Sequence, residues 1–118
     1  MDYKHIVVFI TVDSQQTAQK ITDALLAERK AACVNIVPAV ESHYWWQGKK
    51  ESAQELLLIV KTRLELLDEL VKLVKKHHPY SVPEIIALPI VGGNEDYLRW
   101  VEKEYSTESQ TSLKPIFL

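Results

Sequence analysis

Tyr44-Trp45-Trp46-Gln47-Gly48-Lys49-Lys50 is the stretch whose reading decides the fold. Gln47-Gly48 is a turn signal, flanked by segments that read as strands. An extended segment over 31–46 leads into it, and the apolar run 56–60 returns from it, so the two form one long hairpin. Pro38 lies inside the outgoing strand. Proline has no N–H to give a ladder, so a bulge or an edge position is predicted there.

Outward from the hairpin, residues 6–12 form an unbroken β-branched and aromatic run, too short for a buried helix. Asp13 and Gln16 read as a capping box, after which Ala18, Ile21 and Leu25 recur at helical spacing to about Arg29. Beyond the hairpin, Thr62-Arg63-Leu64-Glu65 reads as a second capping box. Leu67, Leu70, Val71 and Val74 then share a helical face, and Lys72, Lys75 and Lys76 suit its C-terminal end. Pro79 stops that helix. A fourth strand is expected over 82–91, broken by Gly92-Gly93, and Asn94 caps a last short helix. The order β-α-β-β-α-β plus a terminal helix gives an α+β, ferredoxin-like sandwich with a long central hairpin. Residues 1–105 form this domain and 106–118 a polar tail ending in Ile116-Phe117-Leu118, a cluster expected to dock in a groove.

The strands also say something about assembly. Two helices cover one face of a four-stranded sheet, and the other should alternate with polar residues if it meets water. Residues 6–10 and 56–60 are instead apolar at consecutive positions. At roughly 25 cal/mol per Å2, leaving that face wet costs a few kcal/mol. Self-association is the economical cover.

Composition narrows the function classes. The 118 residues are 47% hydrophobic and 25% charged, which suits one soluble core. A formal charge of −2 supplies no basic field for nucleic acid or an anionic membrane. No apolar run approaches the ~20 residues of a membrane span. One cysteine makes no internal disulfide, and the N-terminus reads as a first strand, so a cytoplasmic protein is expected. Walker, GxSxG, HExxH and CxxC motifs are missing, and no catalytic residue is assigned.

Chemistry concentrates in the run His77-His78-Pro79-Tyr80-Ser81-Val82-Pro83-Glu84. Its prolines stiffen a polar entry to an apolar strand. His77 reads as a helix-end residue favoured by the dipole. For His78 that reading stands beside a second, a metal ligand aimed by the Pro79 turn towards Tyr80 and Glu84. Glu84 faces a cation or sits at the rim, with Lys61 as a candidate partner. Cys33 is a thiolate ligand for a soft metal or a buried inert thiol, and the lack of a cationic neighbour in sequence favours the thiol. His5 and His43 lack metal-ligand spacing and read as structural or solvated. Tyr44 and Trp46 share a strand face that Trp45 does not, and aromatics beside a protruding turn mark an interface.

The run from His77 to Pro89, with Ala31-Ala32-Cys33-Val34-Asn35-Ile36 and Tyr97-Leu98-Arg99-Trp100, resembles the CutA divalent-cation-tolerance family over about residues 6–100. The resemblance implies a tight homotrimer of ferredoxin-like subunits and a link to tolerance of divalent metals, chiefly copper. In some eukaryotic relatives it implies the anchoring of a membrane enzyme. It also implies an inter-subunit cleft in which Tyr44, Trp46, Lys61, Tyr80 and Trp100 accompany the candidate metal ligands His78, Glu84 and Cys33. The expected function is a non-enzymatic, trimeric protein of metal tolerance. It would bind copper or another divalent metal weakly, with no cofactor required for folding. The rival readings are a PII-like regulatory module holding a small molecule between subunits and an enzyme using His78 and Glu84 as acid–base partners.

Overall fold

The computed structural model describes residues 3–104, so the tail and its expected docking lie outside the described residues. The elements are β1 (His5–Val12), α1 (Gln15–Ala27), β2 (Cys33–Trp46), β3 (Lys49–Arg63), α2 (Leu67–His77), β4 (Ile85–Pro89) and α3 (Glu95–Lys103). They form one antiparallel sheet in the order β2-β3-β1-β4, the ferredoxin-like plan expected from the sequence.

Local chemistry explains the boundaries. Ser14, not Asp13, caps α1, its hydroxyl accepting from Thr17 N at 3.1 Å. The Thr62 capping box does not form: Thr62 is the buried end of β3, and its hydroxyl donates to the Lys30 carbonyl at 2.6 Å. A 3-10 turn, Leu64–Leu66, leads into α2 instead. Asn94 does cap α3, accepting from Asp96 N at 3.0 Å. β4 is half the expected length because Pro83 stands just before it and Pro89 is its last residue, and neither donates to a ladder.

Ile6, Val8, Ile10 and Val12 of β1 and Leu56, Leu58 and Val60 of β3 face α1 and α2, making the core with Ile21, Leu25, Leu70 and Val74. The alternate residues face the other way, and α3 lies across one end of that second face. There Val101 is buried and Glu102 approaches His5 at 3.8 Å. The chain therefore supplies part of the cover that the sequence assigned wholly to another copy. Ile86 and Leu88 on β4 stay exposed, at 51% and 42%.

β1 ends opposite Leu56, whereas β2 and β3 continue paired from Val40↔Glu55 to Trp46↔Lys49. The result is a bare two-stranded arm, which gives the molecule its 53 Å long axis against 33 and 26 Å. Gln47 and Gly48 both have positive φ, +50° and +77°, the twist that a two-residue hairpin turn needs.

Candidate functional site

The site begins with a change of parity in β2. Pairing runs regularly to Val37↔Leu57 and resumes at Val40↔Glu55, so the Pro38-Ala39 segment holds one extra residue. A bulge of one residue reverses which face each later side chain takes. Before it, Cys33 and Asn35 share the second face; beyond it, Ser42, Tyr44 and Trp46 do. Those three come to lie over Ala53 and Glu55, leaving Trp45 on the opposite side with Lys50 Nζ 5.7 Å from its ring centre.

The facing wall is the segment after α2, held by His78. That side chain is buried, and Tyr80 N donates to its Nδ1 at 3.2 Å. Nδ1 is therefore the unprotonated nitrogen, and Nε2–H donates to the Thr11 carbonyl at 2.7 Å. Tyr80 packs against the imidazole at a tilt of 55°, ring centres 4.7 Å apart, and its hydroxyl donates to Glu55 Oε2 at 2.9 Å. Arm and loop thus enclose a cleft of about 610 Å3, lined by Tyr44, Trp46, Glu55, Tyr80, Val82 and Glu84 among others. Among the described residues, no lysine or arginine lines it.

Burial, then the hydrogen bond to Glu55, pushes the Tyr80 phenol up to about 12 from its ordinary 10. The folded protein holds this proton more tightly than the unfolded chain does. The resulting stabilisation is complete below pH 10 and is lost as pH rises towards 12. Denaturation midpoints measured from pH 9 to 12 should fall more steeply for the parent than for Tyr80→Phe. Parallel curves would show that this phenol is not the titrating group.

The residues expected in one cleft fall into two groups. Within one chain, Tyr44, Trp46, Tyr80 and Glu84 line the same cleft. Cys33 and Lys61 pair across β2 and β3, four residues along β3 from Leu57, the partner of Thr11. At ~3.3 Å per residue, that is ~13 Å from the carbonyl that holds His78. There Lys61 Nζ bonds Asn35 Oδ1, so it is no partner for Glu84, and Cys33 Sγ lies 3.8 Å from the same oxygen. Burial and then Cys33 raise the Tyr97 phenol pKa, and Tyr97 packs on Trp100 with ring centres 5.6 Å apart. Trp100 belongs to this second cluster. Within one chain, His78, Glu84 and Cys33 do not converge, and both His78 ring nitrogens are engaged in hydrogen bonds. Among the described residues, no three His, Cys, Asp or Glu side chains form a metal-holding group.

Glu55 was missed. It precedes the apolar run 56–60 as Glu84 precedes Ile85-Ile86, and that parallel was the available signal. His43, read as structural or solvated, is exposed and borders the cleft.

A family model described as CutA1 divalent ion tolerance protein matches residues 6–104. The divalent-cation tolerance protein CutA of Thermus thermophilus is 54% identical over 97 residues, 82% of this chain and 94% of that protein. Its solved structure superimposes with a TM-score of 0.81. The structure of CutA1 from Oryza sativa gives 0.85 at 47% identity, covering 90% of this chain and 97% of that one. A rice relative named as chloroplastic is 52% identical over 82% of this chain but 55% of its own length. The chain spans about half the length of the curated plant relatives it matches. The structure of a CutA from Archaeoglobus fulgidus, described as periplasmic, is 40% identical over 86% of this chain and 99% of that one, with a TM-score of 0.84. The PII-like alternative finds no support in these comparisons.

Proposed function

Because this chain belongs to the CutA1 divalent ion tolerance family, we propose that it serves tolerance of divalent metal ions, copper foremost, as a cytoplasmic homotrimer without catalytic turnover. The observation that carries the assembly is the arm. A two-stranded ribbon is marginally stable in water, and this one extends seven residue pairs past the last support of β1. A neighbouring copy that took the arm would also cover Ile86 and Leu88 and leave the cleft at the subunit boundary. Metal contact falls to Glu84 and Glu55, an incomplete set that binds copper weakly and exchangeably. Turnover is not proposed, because the one imidazole buried behind the cleft is committed to the backbone through both nitrogens. The relatives' names place some of them in chloroplasts or the periplasm, so location needs its own test by fractionating the host.

Sedimentation at micromolar concentration should return about 41 kDa, three times the 13.6 kDa chain. A 13.6 kDa species would refute the trimer. Disrupting the gene should sensitise the host to copper, with the parent chain restoring growth; unchanged sensitivity would refute the tolerance role.

A further inference from the structure

Among the described residues, the cleft has two carboxylates, three aromatic walls and neither lysine nor arginine, and its one imidazole, His43, lies 3.7 Å from Glu41. Glu55 is only 8% exposed, and among the described residues its carboxylate accepts a hydrogen bond only from the neutral Tyr80 hydroxyl. No lysine, arginine or histidine forms an ion pair with it among the described residues, although burying a carboxylate without a positive partner is unfavourable. The group lines the cavity, so what compensates it enters from the cleft.

The walls say what kind of cation that is. A metal ion requires several oxygen, nitrogen or sulfur donors closing around it. Here two carboxylates share a space of about 610 Å3 with Tyr44, Trp46 and Tyr80. That volume is of small-molecule size. Aromatic faces attract a cation through the ring quadrupole without coordinating it, and they suit one whose charge is wrapped in carbon. We propose that the cleft binds a small organic ammonium ion, its charge set between Glu55 and Glu84 and its alkyl groups against Tyr44, Trp46 and Tyr80. This deepens the cation-tolerance reading by naming a second class of cation for the same cleft, and it rests on that cleft being the cation-binding surface.

Tetramethylammonium is the probe, and neopentyl alcohol is its uncharged near-isostere. Titrated into the assembled protein and followed by NMR of the indole N–H signals, tetramethylammonium should shift the Trp46 signal saturably. Neopentyl alcohol should bind about tenfold more weakly or worse, since the charge is what the rings and carboxylates recognise. Glu55→Gln, Glu84→Gln and Trp46→Leu should each weaken tetramethylammonium binding, by about tenfold for Glu55→Gln and Trp46→Leu. Trp45→Leu, on the opposite face of the arm, should leave it unchanged. Light scattering on each variant separates lost assembly from lost binding, and Glu84→Gln, at an exposed residue, serves if Glu55→Gln disturbs the arm. Equal affinity for the uncharged isostere, no saturable shift, or indifference to Trp46→Leu and both glutamate changes would overturn the proposal. Copper titrated separately keeps the two readings apart. Ammonium binding without copper binding refutes only the metal contact, and the converse refutes only this inference.

Discussion

Replacing Tyr44 and Trp46 together by serine should abolish assembly. Beyond the bulge at Pro38-Ala39 both stand on the second face of the arm, which has no strand beyond β2 and β3 to support it. The turn itself is left intact, because Gln47 and Gly48 hold the two positive φ angles that it requires. Trp45→Ser, on the opposite side of the arm, should leave assembly unchanged. Each removed aromatic carries enough apolar surface to be worth a few kcal/mol when covered at roughly 25 cal/mol per Å2. Sedimentation should show the species of about 41 kDa replaced by the 13.6 kDa chain. Circular dichroism should stay close to that of the parent, since the core between β1, β3 and the helices is untouched. An intact trimer in the double variant would show that the arm's aromatic face does not hold it together.

His78→Ala should be the most damaging single substitution around the cleft, and its damage should be to stability. Removing the ring strips the Thr11 carbonyl of its donor and the Tyr80 N–H of its acceptor. A buried polar group left without a partner costs ~1–3 kcal/mol, so a loss of about 2–3 kcal/mol by chemical denaturation is expected. Tyr80 would be freed from its place against the imidazole, and the Glu55 hydrogen bond with it. The sequence alone made His78 a candidate copper ligand, and on that reading the same substitution should remove copper affinity. The hydrogen bonds predict the opposite division: a large stability loss, with copper affinity per folded molecule nearly unchanged. Calorimetric titration with copper beside a urea melt decides it. A stable variant with abolished copper binding would restore His78 as a ligand.

Much of the cleft was legible as composition and little of it as geometry. Tyr44 and Trp46 sharing a face followed from alternation alone, and Tyr80 and Glu84 followed from a stiff, proline-framed entry to β4. Glu55 escaped notice because its meaning depends on a phenol 25 residues away reaching it. The family resemblance implies an inter-subunit cleft that includes Cys33 and Lys61; within one chain both stand before the bulge, at the α3 end of the sheet. The two errors at helix starts have a similar origin. Thr62 has the residue type and spacing of a cap, but a carbonyl from Lys30, brought close by tertiary packing, claims its hydroxyl.

The sequence by itself determined the order of elements, the Gln47-Gly48 turn, the stop at Pro79 and the cap at Asn94. It also determined that β1 and β3 are apolar on both faces. These are local properties, fixed by backbone sterics, missing donors and side-chain period within a few residues. Only the tertiary structure decided that α3 shields one end of the second face and that both His78 nitrogens are consumed. It alone brought Glu55 beneath Tyr80. Those outcomes depend on inter-strand register and on which distant hydrogen-bond partner arrives first within reach. A single extra residue at Pro38-Ala39 shifts the register of everything beyond it.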